Sequence, residues 1–481
     1  MDIQLLVIGG GINGTAIARE AARNGISVLL VERDDLASHT SSASTKLIHG
    51  GLRYLEQYDF ALVRHALKER TLLMRAAPHL IAPMEFVLPQ TRSSRPWLMV
   101  RAGLLLYDLL AGRSPLPWAR RLKSNDAAYQ EPLKDRGAGF VYWDCKVDDA
   151  RLTIANALDA ASHGAVIRTR TSLFSARREG DHWLATLSDG TTVRARAIAN
   201  AAGPWVSAVL SSTGSNSANG IRLIKGSHIV VRKLYEGTHA YFLQQPDGRI
   251  VFVAPYYDDT TMIGTTDIAV ENPEDAQIDE REIIYLCDAA NRYFTQQITP
   301  ADLVSDWSGI RPLYNDGASE AQEVTRDYVL ELDANGPPVL SVFGGKITTA
   351  RHLAEQVMEK LVSATGWIFT PSTRTARFPG GDFEDFERLV LEIQTRFPFL
   401  DANRARRMAH AYGTTVFEML DGRNGAGTEF GNGLASVEVD WLIEKEWART
   451  SDDILARRTK LGLGMSVEGK AKLESYVSAK R

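Results

Sequence analysis

Cysteine is scarce in this chain: among 481 residues there are two, Cys145 and Cys287. They stand far apart and outside any CxxC or Cys/His spacing, so neither a disulfide framework nor a zinc site is indicated, and a reducing compartment is expected. Long apolar runs are missing as well. A membrane-spanning helix needs about 18 uninterrupted apolar residues, and the nearest approach, WLMVRAGLLLYDLL at 97–110, is broken by Arg101 and Asp108. The start, MDIQLLVIGGG, has no basic segment and no small-residue cleavage site, so no export signal is read there. A net charge of −4 argues against a general nucleic-acid binder. No repeat or low-complexity tract occurs.

What the sequence does contain begins at once. LLVIGG is a short apolar run, GINGTAIAREAARNG carries Ala and Ile at helical spacing, and ISVLLVE is a second apolar run ending in Glu32. This is strand, turn, helix, strand in about thirty residues. Gly9, Gly11 and Gly14 form G-x-G-x-x-G at the hand-over from strand to helix. Gly9 permits the tight turn, Gly11 admits a pyrophosphate, and Gly14 lets the helix lie close to the sheet. The helix N-terminus offers unpaired N–H groups to a diphosphate, and the Glu32 carboxylate suits an adenosine ribose. No second motif of this kind follows a strand downstream, so one dinucleotide is expected, with electrons leaving to another acceptor.

At 481 residues the chain exceeds one ordinary core, and two or three domains of roughly 100–200 residues are expected. Residues 185–205 read as a hairpin about Asp189-Gly190 followed by an apolar strand that lies beside the first nucleotide-binding unit. Residues 339–361 read as a strand, a Gly344-Gly345 turn and an amphipathic helix, capped by Thr348 or Thr349. GSHIVV (226–231), AYFLQ (240–244), RIVFVAPY (249–256) and TTMIGTTD (260–267) are short β-rich segments that suggest an antiparallel sheet. After Pro379 the pattern turns helical, with Ser451 as one cap.

These segments together resemble the FAD-dependent glycerol-3-phosphate dehydrogenases of the aerobic, quinone-linked kind. The resemblance is carried by VIGGGINGTAIA (7–18), SSASTKLIHGGLRYLE (41–56), WDCKVDDARL (143–152), NAAGPW (200–205), IRLIKGSHIVV (221–231), GTTD (264–267), SGIRPL (308–313), TRDY (325–328), SVFGGKITT (341–349) and DDILARRTKLG (452–462). It implies an α/β fold with a Rossmann-type FAD-binding domain of the D-amino-acid oxidase-like kind, an interleaved antiparallel-sheet substrate domain and a C-terminal all-α domain. The expected FAD-binding segments are about 1–75, 140–212 and 305–378, the substrate-binding segments about 76–139 and 213–304, and the helical domain 379–481. The implied reaction is oxidation of sn-glycerol 3-phosphate to dihydroxyacetone phosphate, with electrons passed through FAD to a membrane quinone. An oxygen-using oxidase of the same fold and a non-catalytic flavin-binding sensor are the alternatives, and a homodimer is left open.

A phosphate dianion asks for guanidinium and ammonium groups. Arg53, Arg311, Arg326 and Lys346 fall in resembling blocks, and Tyr54 adds a neutral donor. Removing the C2 hydroxyl proton calls for a base, for which His49 and His228 stand as even candidates, with Arg311 polarising the C2 oxygen. Besides Gly9, Gly11, Gly14 and Glu32, the resemblance implies cofactor contacts from Asn13, Arg33, Ser41, Ser42, Thr45, Lys46, Leu47, Gly203, Gly345, Lys346 and Thr348. Gly50 and Gly51 in KLIHGGLRYLE are expected to let the backbone pass against the flavin ring. No metal is expected. Around 97–110, Arg92, Arg95, Arg101, Arg113, Arg120, Arg121 and Lys123 face one acid, Asp108, a balance of +6. With Trp97, Leu104, Leu105, Leu106, Tyr107, Leu109 and Leu110 this suits an interfacial helix on anionic lipid, at the inner face of the cytoplasmic membrane.

Overall fold

The computed structural model describes residues 1–90, 95–215, 220–257, 259–314 and 327–480. Its first sheet is built where the apolar runs were read, with Val166–Arg168 added at one edge. Strands Asp2–Ile8, Val28–Val31 and Val166–Arg168 lie in parallel on one side, and Thr192–Asn200 and Val339–Phe343 on the other. The registers Ile8↔Val31, Ile8↔Asn200 and Asn200↔Ser341 align the C-terminal ends of the strands, and that edge is where open α/β sheets bind ligands. The hairpin about Asp189-Gly190 joins His182–Leu187 to Thr192–Asn200 as expected.

Helix Ile12–Arg23 is rich in alanine because it packs closely: Ala16, Ala18, Ala21 and Ala22 are buried with Ile154 and Ala157 of helix Asp149–Ser162 and with Leu353 and Val357 of helix Ala350–Thr365. Small side chains let three helices cover the sheet without voids. A Cβ on Gly14 would come within 1.9 Å of the Gly9 carbonyl oxygen, so this crossing admits only glycine.

The second sheet runs Ile268–Val270, Ile221–Arg232, Thr260–Gly264, Ile250–Pro255, Ala240–Gln244, Ile81–Pro89, Gly139–Val147 and Leu47–Ile48, with Leu303–Tyr314 pairing along Ile221–Arg232. All four β-rich segments expected between 226 and 267 are present in it. Helix Trp97–Ala111 crosses Phe60–Ala76 and drives Val100, Leu104 and Tyr107 into the core against Phe86, Phe140 and Tyr142. Leu104 and Tyr107 therefore belong to the inward face of this helix and cannot meet a lipid surface. Both cysteines are free and buried. Among the described residues, no helix is long and apolar enough to cross a membrane.

Residues 389–477 enclose their own hydrophobic core, from Leu389, Ile393 and Phe397 to Leu473 and Val477. Two expected caps differ. Thr349 stands at the N-cap of helix Ala350–Thr365, but its side chain makes no cap bond; its hydroxyl turns back to the Lys346 carbonyl. In the last segment Thr450 Oγ1, not Ser451, accepts from the Asp453 N–H at 3.0 Å, while the Ser451 hydroxyl bonds Glu474. The turn it starts, Asp453–Arg458, is a π-helix.

Candidate active site

Two adjoining cavities of about 280 and 340 Å³ share Ile12, Thr40, Ser41, Pro312 and Gly345 in their walls, and form one groove along the C-terminal edge of the first sheet. The half nearer the glycine turn is lined by Gly9, Gly11, Asn13, Glu32, Arg33, Ser41, Gly203 and Gly345. Gly9 has φ +111°, and a Cβ there would meet the Ala201 carbonyl oxygen at 2.5 Å. The N-cap of helix Ile12–Arg23 is Gly11, which carries no side chain to close the helix end. Asn13 donates from Nδ2 to the Gly344 carbonyl at 3.1 Å, which leaves its buried Oδ1 without a partner. Glu32 accepts from the Gly10 N–H at 2.6 Å and the Asp34 N–H at 2.8 Å. One bond to each oxygen fixes the carboxylate and leaves lone pairs for ribose hydroxyls. Burial pushes its pKa up, against these two bonds. Arg33 lies over the Trp205 ring at 3.9 Å. A glycine cradle, a helix end whose N-cap has no side chain, an unpartnered amide oxygen and a fixed carboxylate are the donor and acceptor set a dinucleotide needs.

The other half gathers Thr45, Leu47, His49, Arg53, Tyr54, Arg311, Lys346 and Thr348. Asp267 organises the cations. Arg311 Nη1 bonds its Oδ1, Arg53 Nη1 stands 3.9 Å from its Oδ2, and Arg311 Nη2 donates to Thr265 Oγ1 at 3.1 Å. Gly226 leaves room for this arginine, because a Cβ there would lie 2.5 Å from Nη2. Lys346 Nζ sits 4.1 Å over the Tyr54 ring. Asp267 and Thr265 were missed in the sequence, although GTTD had been singled out; the signal was an acid inside a block whose neighbours are phosphate-suited cations. Arg326 lies outside the described residues, as does Arg92.

The paired glycines line the cavity, and the protein's own packing gives them a second reason. A Cβ on Gly50 would strike Leu67 at 2.5 Å and the Tyr107 hydroxyl at 2.7 Å, and one on Gly51, at φ +75°, would strike the Tyr54 ring at 2.2 Å. It is the protein's own packing that excludes side chains here. Tyr107 accepts from the Gly50 N–H at 2.8 Å and donates to Asp144, which pairs with Arg70.

The two histidines separate. His49 faces the cavity, and burial lowers its pKa, opposed by Asp144 and reinforced by Lys346 and Arg70. It is therefore neutral and able to take a proton near neutral pH. His228 is buried behind the wall, stacked on Trp307 at 5.0 Å, with Nε2 3.0 Å from Thr45 Oγ1 and Nδ1 without a partner. Burial first, then Lys46 and Arg311, holds it neutral. An orphaned lone pair costs less than an orphaned N–H, so the proton belongs on Nε2 and points at Thr45. His228 thus sits against Thr45, one side chain behind the cavity wall that His49 lines directly.

Two expected cofactor contacts also turn away. Lys46, at φ +59°, sends its ammonium to Asp149 at 2.9 Å and to the Ser42 carbonyl at 2.7 Å, and the Ser42 hydroxyl faces the His39 carbonyl. Both residues shape the loop from behind without lining the groove. His65, Glu69 and His352 bring three ligand-type atoms within 4.8 Å, but Arg351 already holds Glu69 at 2.7 and 2.8 Å and pairs with Glu355, so that cluster is charge-satisfied without a cation.

The family described as FAD dependent oxidoreductase matches residues 4–351, and that described as C-terminal domain of alpha-glycerophosphate oxidase matches 371–478. The chain is 49% identical to a glycerol-3-phosphate dehydrogenase of Pseudomonas aeruginosa over 98% of its own length and 94% of the relative's. It is 46% identical to a D-erythritol 1-phosphate dehydrogenase of Brucella abortus over 95% and 94%. Among solved structures, the glycerol-3-phosphate dehydrogenase of Bacillus halodurans complexed with FAD superposes with a TM-score of 0.75 at 26% identity, covering 100% of this chain and 94% of that one.

Proposed function

The chain belongs to the FAD-dependent oxidoreductase family that includes the aerobic glycerol-3-phosphate dehydrogenases, and from that premise we propose that it oxidises sn-glycerol 3-phosphate to dihydroxyacetone phosphate and passes the electrons to a membrane quinone. The observation that carries the reading is the convergence of Arg53, Arg311 and Lys346 with His49 in a cavity continuous with the dinucleotide groove.

The cofactor would rest on Gly9, Gly11, Asn13, Glu32 and Ser41 and along Thr45, Gly345 and Thr348. When bound, FAD supplies the acceptor for the hydride that leaves C2. Arg53, Arg311 and Lys346 bind the phosphate and fix the distance from it to C2. Tyr54 packs beneath Lys346 and limits where its ammonium can reach. His49 takes the proton of the C2 hydroxyl as the carbonyl forms.

For the acceptor, the supporting feature is the outer face of Trp97–Ala111. Leu98, Met99, Leu105 and Leu109 are exposed there, Trp118 and Tyr58 stand at 57% and 79% exposure, and Arg113, Arg121 and Lys123, in the segment that follows the helix, are exposed as well. Exposed apolar side chains followed by exposed basic groups suit shallow burial in an anionic bilayer, where quinone resides.

The decisive experiment mixes the FAD-loaded protein with glycerol 3-phosphate without oxygen. The flavin's visible band should bleach, and a quinone analogue should restore it; rapid peroxide formation on admitting air would favour an oxidase instead. The Brucella relative favours a second reading, a four-carbon polyol phosphate as substrate. Bleaching that is faster with an erythritol phosphate than with glycerol 3-phosphate would select it.

A further inference from the structure

The C-terminal helical domain has no residue in the walls of the groove, yet one stretch of it reaches the back of the loop that forms them. Residues 453–460, the π-helix and the RRTK that ends it, insert three cations into the nucleotide-binding part of the chain. Arg457 Nε donates to Asp35 at 2.7 Å, and Arg458 straddles the same carboxylate, with Nη2 at 2.8 Å. Lys460 Nζ bonds Asp148 and lies 3.7 Å from Asp149. Arg458, Lys460, Asp35 and Asp149 are all buried.

These carboxylates bracket one segment of chain. Asp35 follows Glu32 at the ribose end of the groove, and two residues on, the Ala37 N–H bonds the Gly10 carbonyl in the glycine turn. Asp149 governs the flavin end: it accepts from the Ser44 hydroxyl at 2.7 Å, the Ser44 N–H at 3.2 Å and the Lys46 ammonium at 2.9 Å. Between those anchors lie Ser41, which accepts from the Ile12 N–H at 2.9 Å, and Thr45, both of which line the groove. Burial raises the pKa of Asp149, but Lys46 and Lys460 together bring it below the usual carboxylate range.

We infer that residues 453–460 are a cofactor clasp, in which Arg458 and Lys460 act as positioning residues that hold loop 35–46 in its FAD-binding form. At the flavin end, Lys46 and Lys460 balance Asp148 and Asp149. Removing Lys460 leaves buried Asp149 and the half-buried Asp148 beside it with one ammonium, and their repulsion acts on the residue that tethers Ser44 and Lys46. The loop would then relax away from the groove, and binding FAD would have to reorder it. The inference rests on FAD residing in the groove and not on the identity of the substrate; a protein that held FAD but failed to be bleached by glycerol 3-phosphate would leave it standing.

The test uses the full chain carrying Lys460→Met or Lys460→Arg, stripped of FAD and titrated with FAD by flavin fluorescence. Lys460→Met should raise the FAD dissociation constant about tenfold or more, the scale of one lost charge-assisted contact. Lys460→Arg should restore most of it, and substrate KM at saturating FAD should move less than about twofold, because the substrate cations are untouched. An FAD affinity unchanged within about twofold in Lys460→Met, whatever its melting temperature, would reduce the contact to interdomain packing and overturn the inference. Should Lys460→Met fail to fold, hydrogen exchange on the unaltered protein decides. FAD should slow exchange at 40–46 and at 453–460 together, and protection confined to 40–46 would overturn it equally.

Discussion

Replacing His49 by Gln tests the chemistry most directly. Glutamine keeps a polar group of similar reach in the cavity wall but cannot take a proton. The environment of His49 bears on the expected size: the side chain is walled by protein, beside Lys346 and near Asp144, and its pKa lies below the ordinary value. A neutral imidazole that faces the same cavity as the substrate cations is poised as a general base, and such a base contributes about 10²–10⁴-fold, or about 3–5 kcal/mol of barrier. The rate constant for flavin reduction, measured by anaerobic stopped flow, should fall by that factor while FAD content stays unchanged. The pH profile gives the sign. With its pKa lowered, His49 is deprotonated at neutral pH, so reduction in the unaltered enzyme should be flat there and decline only as pH falls through a value below about 6.5. His49→Gln should lose that inflection. His228→Gln should keep it, because His228 meets Thr45 and not the cavity. Reduction by His49→Gln within about threefold of the unaltered rate, or an inflection that survives, would refute the assignment.

Arg311→Lys should raise KM by about 10- to 150-fold, since an ammonium cannot replace a fork that spans Asp267 and Thr265, and each charge-assisted bond is worth about 1.5–3 kcal/mol; steady-state kinetics should show the saturated rate moving far less. Gly14→Ala places a methyl 1.9 Å from the Gly9 oxygen, so the variant should purify without FAD and melt at lower temperature than the unaltered apoprotein, by absorbance and calorimetry. Charge reversal at Arg113, Arg121 and Lys123 should abolish co-sedimentation with anionic vesicles but leave bleaching by substrate intact; Arg120 is spared because Asp126 already binds it at 2.6 Å.

The nucleotide-binding unit was legible because its determinants are local. A glycine at φ +111°, a helix that must pass within contact of a strand, and an acid at a strand end all fall within thirty-two residues. Four strands of the second sheet were legible for the same reason, through composition over five or six residues, whereas Ile81–Pro89, Gly139–Val147 and Leu303–Tyr314, which join the same sheet, were not read. What could not be read is what long-range pairing decides. Lys46 and His49 are three residues apart in one block, and nothing in their spacing says that one faces Asp149 and the other the cavity. The Asp35–Arg458 bond joins positions 423 residues apart, so the purpose of RRTK stayed hidden until the fold put it against loop 35–46. Gly50 and Gly51 were read as making way for a ligand, and they do line the cavity; that the Tyr107 hydroxyl, 57 residues on, also leaves no room for a Cβ on Gly50 is what the spacing could not say.

The charge of the cavity divides the work between binding and chemistry. Among the described residues, Arg53, Arg311 and Lys346 stand in the cavity wall against Asp267 and an Asp144 already paired with Arg70, a cationic excess that suits a phosphate monoester carrying close to two negative charges at neutral pH. Asp267 does more than subtract. By pairing with Arg311 and standing 3.9 Å from Arg53, it fixes two long side chains before substrate arrives, so less rotamer freedom is lost on binding. Because the phosphate is the same in alcohol and ketone, this part of the cavity stabilises substrate, transition state and product alike, and uniform binding of that sort sets KM without accelerating the reaction. Acceleration has to come from groups that respond to the change at C2, and on the proposed reading His49 is the group in the cavity wall that does so by taking a proton. The substitutions should therefore separate cleanly, Arg311→Lys acting on KM and His49→Gln on the rate of reduction, and a mixed outcome in both would mean that the phosphate and the reacting carbon are not held by separate ends of the site.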